Sequence, residues 1–531
     1  MQIVSDKWKR AHRRTILGES FVEVSLDVAD PDALVAAEPS DNGAIYISDS
    51  SRLTDGVDKN PTPYCTLEQN LWLLNGARKA LPESDYGDSC YIGDVLCNDV
   101  CVFSDKIPII SISFGETFDK LIPGITITWS STYGEFADNF IVRALSNGYV
   151  YAEKEVVGNK SVTSLVMMDI DEYDTIEIYI TKWCLPHRRA RVEEVFVGMH
   201  KVYSKTDLFN YTHKQTVDPV STSLPKSEIK FSIDNVDNEY NPYNTDGMAK
   251  YLMERQEVKA RYGLKVEDGT IEWINGGTFY LSEWYAKQNG ITADFTARDL
   301  LEFMSATFHD THTSGSRKLY DLATLILSSA NLPLNSDGSV KWYVDESLRD
   351  NAELTTTAPL PEDTFANCLQ LIANAACCTI AQDRDGILRI EPLKFDTTDY
   401  EINSFNSYAK PEMELAKPIK QVIVKMYTYS GDSSTTTEVV VNGNGGALGE
   451  VITIDNPLIT SEKRAKAVGE WLATHLGHRM TLDSSWRADT RLDALDIIKS
   501  DNGYNKVDVR VTDVEFKYNG AFRGTGKGKV I

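Results

Sequence analysis

Residues 228–242 read EIKFSIDNVDNEYNP. In the first half of this stretch, Ile229, Phe231 and Ile233 alternate with polar residues, which is the two-residue period of a strand with one buried face. The second half is rich in Asn and Asp, which favour turns because their side chains bond the backbone locally. The stretch therefore predicts a half-buried strand that ends in a turn.

The same alternation recurs in other parts of the chain. It occurs at Ile125, Ile127 and Trp129, at Ile176, Ile178 and Ile180, and at Ile291, Ala293, Phe295 and Ala297. One dry face and one wet face are typical of antiparallel sheets. Near the C-terminus the apolar phase changes between Val511 and Val514, which predicts a β-bulge at Thr512-Asp513.

Three segments have the helical period instead. Their apolar stripes are Leu319, Leu322, Ala323, Ile326, Leu327 and Ala330; Phe365, Cys368, Leu369, Ile372, Ala373 and Ala376; and Ala465, Val468 and Leu472. Asp363 or Thr364 is the expected N-cap of the second helix, and the third is expected to begin at Thr460-Ser461 and to end at Gly477. All three stripes are interpreted as packing faces.

Length and charge limit the function. A chain of 531 residues exceeds what one hydrophobic core supports, so roughly three to five domains are expected. The excess of 78 acidic over 54 basic residues gives a formal charge of −24, which repels nucleic-acid phosphates. Nucleic-acid binding is therefore not expected. An acidic surface suits a conduit that DNA passes without sticking, or serves solubility alone.

Membrane and disulfide signals are weak. No apolar run is long enough to span a bilayer, and the basic N-terminus lacks the apolar segment of a signal peptide, so we expect a chain made in the cytosol without a membrane span. The eight cysteines are scattered and are interpreted as reduced thiols. Cys97 and Cys101 are close but lack a second pair of ligands, so zinc is not expected.

Motifs of catalytic chemistry are scarce. His309 and His312 lie in an expected mobile loop, and the acidic run 169–174 is interpreted as a solvated turn. The basic run 187–191 is interpreted as a solvated strand entry, and the glycines of 520–526 as a terminal turn. No nucleophile elbow, phosphate loop or zinc-protease motif occurs. We predict no catalytic, metal or cofactor residues and leave ligand-binding residues open.

A family resemblance begins in the opening stretch. A strand that leads through Asp and Asn residues to Tyr-Asn-Pro, at 230–242, resembles the first barrel of tail hub and tail-tip proteins from phages and phage-derived particles of Gram-positive hosts. Segments 251–260, 277–281 and 293–299 resemble the parts of that family that follow, in the same order. A helix and a hairpin that turns at Asp383-Arg384-Asp385-Gly386 resemble its middle region.

The C-terminal part of the resemblance is less regular. Residues 487–496 are similar to the family's arginine-aspartate-proline, then glycine-aspartate segment, but Thr490 stands where proline is usual and Leu495 where glycine is usual. The closing segment 514–522 matches well. The resemblance covers about residues 201–531, with an echo at 66–76.

The resulting fold prediction is a mainly β protein with α+β elements and several domains, including two hub-type β-barrels, an inserted β-sandwich and a small helical region. The predicted boundaries are 1–105 for an N-terminal tail-protein module, 106–200 for a sandwich of the carbohydrate-module type, 201–305 for the first hub barrel, 306–380 for a small region with two helices, and 381–531 for the second hub barrel with one helix. The sandwich is expected to be dispensable for assembly.

The resemblance implies a structural virion protein and not an enzyme. Subunits of such proteins form a ring, commonly of three, that continues the tail tube and closes it at the tail tip. The implied partners are the tail tube or distal tail protein, the tape-measure protein, and fibre or receptor-binding proteins, while DNA passes through without specific binding. No cofactor is implied. The chain would be assembled in the host cytoplasm and located at the tail tip of the virion.

Two other function classes stay open. The sandwich region contains seven rings that could stack on sugars: Trp129, Tyr133, Tyr149, Tyr151, Tyr173, Tyr179 and Trp183. The first alternative is therefore an adhesin that binds a host-surface glycan. The second is a tail-associated cell-wall hydrolase, which would need two carboxylates at a fixed separation.

Overall fold

The computed structural model describes residues 1–14, 18–56, 65–66, 68–69, 71–72, 90–286, 290–310, 315–335, 339–430 and 433–531. Strands make up 47% and helices 15%, in several sheets. The predicted fold class, mainly β with a few helices, is confirmed.

The described residues in the first part of the chain form two short α-helices and eleven strands. The elements before residue 106 are α1 (Asp6–His12), β1 (Ser20–Val28), α2 (Pro31–Ala36), β2 (Glu38–Asp41) and β3 (Tyr91–Ile92). The next are β4 (Ile109–Phe118), β5 (Ile122–Thr128), β6 (Ala137–Ser146), β7 (Tyr149–Val157), β8 (Thr163–Ile170), β9 (Tyr173–Trp183), β10 (Arg191–Val192) and β11 (Glu194–Phe196).

The middle of the chain carries six long strands and then a mixed region. The strands are β12 (Met199–Tyr203), β13 (Leu208–Thr216), β14 (Lys226–Asp234), β15 (Glu257–Lys265), β16 (Ile271–Ala286) and β17 (Thr292–Arg298). The mixed region has β18 (Thr307–Phe308), β19 (Arg317–Lys318), α3 (Leu319–Ser329), β20 (Trp342–Val344), α4 (Glu346–Asp350), β21 (Thr355–Thr356), β22 (Asp363–Thr364), α5 (Phe365–Ala376), β23 (Thr379–Gln382) and β24 (Leu388–Glu391).

The last part, as far as it is described, has nine strands and one long α-helix. These are β25 (Thr397–Ile402), β26 (Glu412–Leu415), β27 (Ile419–Ser430), β28 (Ser433–Asn442), β29 (Glu450–Asp455), α6 (Glu462–Gly477), β30 (Met480–Arg487), β31 (Ile497–Asp501), β32 (Lys506–Tyr518) and β33 (Phe522–Val530).

One 13-stranded sheet connects distant parts of the chain. Its order is β12-β1-β15-β16-β17-β14-β13-β32-β33-β30-β26, with β31 paired to β32 and β25 paired to β31. The pairing of β13 with β32, from Tyr211 opposite Tyr518 to Thr216 opposite Asp513, joins the strands of 201–305 to those of 381–531. Both groups of strands contribute to one hydrophobic core. The domain boundaries given above remain a proposal, and this sheet crosses several of them.

The sandwich consists of the sheets β2-β4-β9-β6-β7 and β11-β5-β8, which pack around Trp129, Phe140 and Trp183. Its strands therefore begin at β2, earlier than residue 106. The flanking strands β1 and β12 pair with each other and place Val28 opposite Met199. The stretch between Ala29 and Gly198 is thus inserted between two neighbouring antiparallel strands of the large sheet.

The predicted alternation holds with two exceptions. Thr126 of β5 is buried and not on a wet face, because its hydroxyl donates to the carbonyl oxygen of Gly198 (3.2 Å) where the sandwich meets β12. Ile291 lies outside β17 and is exposed. The predicted bulge is confirmed, since the β32–β33 register shifts between Val511 and Asp513.

The three helical stripes are confirmed as α3, α5 and α6. Thr364 is the N-cap of α5, and its hydroxyl accepts from the amide of Asn367 (3.1 Å). Ser461 caps α6 in the same way through the amide of Arg464 (3.2 Å). The helix α3 packs on α5, while α6 packs on β27 and β28.

The sheets are mainly antiparallel, as predicted. Three pairs among the described strands are parallel: β20 with β24, β25 with β31, and β27 with β29. Parallel neighbours require a crossover connection. The crossover from β20 to β24 contains α4 and α5, and the crossover from β25 to β31 contains α6.

Candidate functional site

The candidates for catalytic or metal chemistry do not converge. The ring of His309 is exposed and lies 2.9 Å from a carboxylate oxygen of Glu362, and His312 lies outside the described residues. Within the described ranges, no group of three or more His, Cys, Asp or Glu side chains could hold a metal ion.

The acidic run 169–174 is used for structural contacts. The carboxylate of Asp169 accepts from the Lys250 ammonium (3.0 Å) and from the Tyr251 hydroxyl, which connects the sandwich to the large sheet. Asp174 accepts from the backbone amide of Asn147 (2.6 Å). The run is therefore more than a solvated turn, because one of its acids docks two parts of the molecule.

The basic run 187–191 leads into β10 as interpreted, but it is not solvated throughout, since Arg188 and Arg191 are buried while His187 is exposed. The guanidinium of Arg188 lies 3.1 Å from Glu135, and that of Arg191 pairs with Glu68. These acids compensate the buried charges, and burial is possible for that reason. Glu68 belongs to the segment 66–76, which also resembles the family. This segment therefore contributes a structural ion pair.

A highly connected polar site lies where the two large groups of strands meet. It centres on Arg384, in the turn between β23 and β24. Its Nε donates to Asp493 Oδ1 (2.6 Å), its Nη1 to the carbonyl of Asn275 (2.8 Å), and its Nη2 to the carbonyls of Thr490 (2.7 Å) and Leu492 (3.0 Å). One buried side chain thus ties the middle hairpin to β16 and to the segment 487–496.

The amino terminus completes this site. The ammonium of Met1 lies 2.7 Å from Asp496 Oδ1 and 3.3 Å from Asp493 Oδ2. Burial alone would raise the pKa of Asp493, but Arg384 and the amino terminus hold that pKa below its usual value. Burial, with the neighbouring charge of Asp493, raises the pKa of Asp496. We call Met1, Arg384, Asp493 and Asp496 the junction cluster.

A layer of rings lies beneath the junction cluster. The hydroxyl of Tyr262 lies 2.8 Å from that of Tyr211 and 2.8 Å from Nδ1 of His213, and the guanidinium of Arg384 lies 5.6 Å from the Tyr262 ring centroid. Burial, together with the charge of Arg384, lowers the pKa of His213 to about 3. His213 is therefore neutral in the folded protein at ordinary pH.

The N-terminal helix docks on the same segment. The indole Nε1 of Trp8 donates to Asp489 Oδ1 (3.1 Å), and the guanidinium of Arg491 donates through Nε to Asp489 Oδ2 (2.8 Å). A cleft of about 260 Å³ remains beside this contact. Its lining is Lys9, His12, Arg13, Asp399, Tyr400, Glu401, Asn403, Phe405, Asn406, Arg487, Asp489 and Arg491.

The two departures from the family pattern both lie in the segment that contacts Arg384. Leu495 has a φ of 74°, a backbone conformation in which glycine is favoured. The backbone here therefore has the conformation that the glycine usual at this position in the family would adopt without strain. At Thr490 the carbonyl accepts from Arg384. The segment 487–496 thus receives Arg384 through two backbone carbonyls and a carboxylate.

Sequence reasoning identified Arg384 only as a turn residue and missed the junction cluster. One feature of the sequence could have indicated the cluster. Arg384 and Asp493 carry opposite charges, and both lie in segments that resemble the family, the hairpin turn 383–386 and the segment 487–496.

The edge strands β7 and β26 expose apolar side chains. The edge strand β7 exposes Tyr149 and Tyr151, with 80% and 51% of their surface accessible. The edge strand β26 exposes Met413 and Leu415 at 50% and 64%.

No family model and no curated protein sequence matches this chain. Solved structures do match. The 43 kDa tail protein of prophage MuSo2 from Shewanella oneidensis has 11% identity and a TM-score of 0.44, over 62% of this chain and 95% of that chain. A tail protein from Neisseria meningitidis has 12% identity and a TM-score of 0.41, over 62% and 93%. The prophage tail protein gp18 from Listeria monocytogenes has 11% identity and a TM-score of 0.40, over 62% and 91%.

These three structures are described as tail proteins, two of them from prophages. They come from Shewanella, Neisseria and Listeria, so a restriction to Gram-positive hosts is not supported. Among the described residues, no helix is both long enough and apolar enough to cross a membrane.

Proposed function

We propose that this chain is a structural protein of a phage-type tail, a hub that continues the tail tube and closes it at the tail tip. The observation that carries the proposal is that the main segments of the sequence resemblance fall on one continuous sheet. Segment 230–242 forms β14 and the turn after it, 251–260 leads into β15, and 514–522 ends β32.

The junction cluster supports this role. It fixes the two groups of strands relative to each other through buried ion pairs and backbone contacts, which a rigid tube segment requires. These contacts hold strands together and do not require a substrate pocket. We therefore propose a hub that is not an enzyme, and a turnover assay on purified host cell wall distinguishes it from a hydrolase.

The proposed assembly is a ring of copies, three by the resemblance, seated on the tail-tube or distal tail protein and joined to the tape-measure and fibre or receptor-binding proteins. DNA passes through it without specific binding, in keeping with the net charge of −24. The edge strand β26 is a suitable contact between copies, because an edge strand offers unpaired backbone groups and this one exposes Met413 and Leu415.

Mass measurement of the purified chain, alone and with tail-tube protein, tests the assembly. The amide of Ala416 donates to the carbonyl oxygen of Arg479, the residue before β30, so by antiparallel alternation the amide of Met413 points away from β30. Met413→Pro should therefore keep the fold and abolish the ring, whereas Met413→Ala should keep both. A wild-type chain that stays monomeric at high concentration and does not bind tail-tube protein would contradict the hub.

A second candidate function is recognition of a host-surface glycan by the sandwich. It is favoured by the exposed rings of Tyr149 and Tyr151 on β7, while Trp129, Tyr173 and Trp183 are buried in the core. The test is a glycan array with the full chain. Tyr149→Ala and Tyr151→Ala should abolish any binding, and Tyr504→Ala, an exposed ring outside the sandwich, should leave it unchanged.

A further inference from the structure

Two cations face each other across the C-terminal hairpin of the sheet. Arg510 of β32 lies directly opposite Lys529 of β33, so both side chains project from the same face. Like charges in directly opposite positions destabilise a sheet. In a chain with 24 more acidic than basic residues, this pairing calls for an explanation.

The guanidinium of Arg510 is buried without compensation. Only 1% of the residue is exposed, and its Nη2 has no hydrogen-bond partner among the described residues. The ring of Phe395 covers it at 4.8 Å from the ring centroid, although Phe395 is itself 72% exposed. Burial lowers the pKa of Arg510, which means that the surroundings disfavour its charge.

A third basic group lies within electrostatic reach of both cations. His475, in the last turn of α6, is 7% exposed, and its Nε2 has no hydrogen-bond partner in the described part of the chain. Burial first, and then the charges of Lys529, Arg510 and His478, lower the pKa of His475 to about 4. Burial also lowers the pKa of Lys529.

One carboxylate, that of Asp218, acts on His475 and Lys529, and it forms its hydrogen bonds within its own loop. Asp218 raises the pKa of His475 and of Lys529, but its oxygens accept from the amides of Val220 (3.1 Å), Thr222 (2.7 Å) and Ser223 (3.0 Å). Among the described residues, neither Arg510 nor Lys529 forms an ion pair.

We propose that Arg510, Lys529 and His475 form a binding site for one oxyanion that carries two negative charges, a phosphate or sulfate group. A guanidinium and an ammonium supply the two matching charges, and the imidazole supplies a further donor once it is protonated. The site is independent of the proposed hub function, since it lies within one chain and does not involve contacts between copies.

The test is calorimetric titration of the full chain with inorganic phosphate and with sulfate, at an ionic strength held constant with sodium chloride. Both anions should bind and should raise the melting temperature. Arg510→Met and Lys529→Met should each weaken binding by about tenfold or more, because each removes a charged donor. Lys527→Met, on the same strand but exposed and near Asp483, should leave binding unchanged.

These variants should fold, since replacing a buried unpaired charge by an apolar side chain of similar length removes a destabilising group. Sulfate does not titrate in the neutral range, so its affinity should be higher at pH 5.5 than at pH 7.5 through protonation of His475. His475→Gln should abolish that difference. Acetate should bind more weakly than sulfate.

Three results would overturn the proposal. The first is that neither phosphate nor sulfate binds or stabilises the wild type. The second is binding that Arg510→Met and Lys529→Met leave unchanged, which would mean an adventitious ion only. The third is acetate binding equal to that of sulfate, which would assign the site to a carboxylate and not to a doubly charged anion.

Discussion

Arg384 and Arg510 are both almost fully buried, yet their guanidinium groups meet different surroundings. Arg384 donates to a carboxylate and three carbonyls, whereas Arg510 has an aromatic ring and a facing lysine. Burial penalises both charges, and only the first is compensated. The two arginines should therefore respond in opposite ways to removal of the charge.

Arg384→Met should lower the free energy of unfolding by about 3–5 kcal/mol, because it leaves Asp493 buried with fewer partners. The matched control is Arg389→Met, five positions along the same hairpin. Arg389 is partly exposed and pairs with Asp383 at 2.6 Å, so its loss should amount to less than about 1 kcal/mol. Urea unfolding of both variants measures the difference, and equal losses would mean that Arg384 does not stabilise the junction.

Leu495→Gly should raise the free energy of unfolding by about 0.5–1 kcal/mol, because it relieves a positive φ at a residue with a Cβ. Ala494→Gly is the control, since Ala494 has no positive φ and its replacement should be destabilising. Melting temperatures of the two variants should move in opposite directions. If both fall, the glycine usual in the family is not explained by backbone conformation.

His213 makes stability depend on pH. Its pKa is about 3 in the folded chain and 6.5 for an ordinary histidine, so between these values the unfolded state binds more protons and stability falls as pH falls. His213→Gln should reduce the slope of unfolding free energy against pH in this range by up to about 1.4 kcal/mol per pH unit. Denaturation of both proteins from pH 4 to pH 7 measures it, and identical slopes would refute the assignment.

At the scale of single elements, the helix faces determine which residues tolerate charge. Leu322 and Leu325 lie on the same helix α3, but Leu322 is 1% exposed and Leu325 is 41% exposed. Leu322→Asp should therefore abolish soluble folded protein, since it buries an unpaired carboxylate at a cost of several kcal/mol. Leu325→Asp should change the melting temperature little. Similar behaviour of the two variants would contradict the packing of α3.

The strand β5 shows how an element can depart from its sequence pattern. Its alternating Ile and Thr residues predict one wet face, yet both faces are buried along nearly the whole strand. The second face is covered where the sandwich meets β12, and a threonine tolerates this because its hydroxyl finds a carbonyl partner. A strand's own residues do not indicate that a neighbouring unit will cover it.

At the scale of the whole molecule, the sandwich core extends beyond the predicted insertion. Leu53, Tyr91 and Phe103 are buried in it, and β2 pairs with β4. Deletion of 107–197 would remove the partners of these residues. We therefore propose that the removable unit is 30–197, because β1 and β12 pair and bring the ends of this stretch together.

Replacing residues 30–197 by Asn-Gly should leave a soluble chain that still forms the proposed ring, since a two-residue turn suits an antiparallel hairpin. Deletion of 107–197 with a Gly/Ser linker should give insoluble protein. Expression and mass measurement of both deletions test this. A soluble 107–197 deletion together with an insoluble 30–197 deletion would mean that the residues before 106 fold with the large sheet.

The sequence by itself determined the local structure of this protein. Period-two and helical patterns, cap residues and the phase change at Thr512-Asp513 predicted strands, three helices and a bulge, because these features depend on neighbours within a few residues. Only the tertiary structure decided that β13 pairs with β32, that Met1 and Arg384 meet at Asp493, and that the buried Arg510 lies opposite Lys529. Those contacts join residues that are distant in the chain, and their strength depends on burial, which local patterns do not encode.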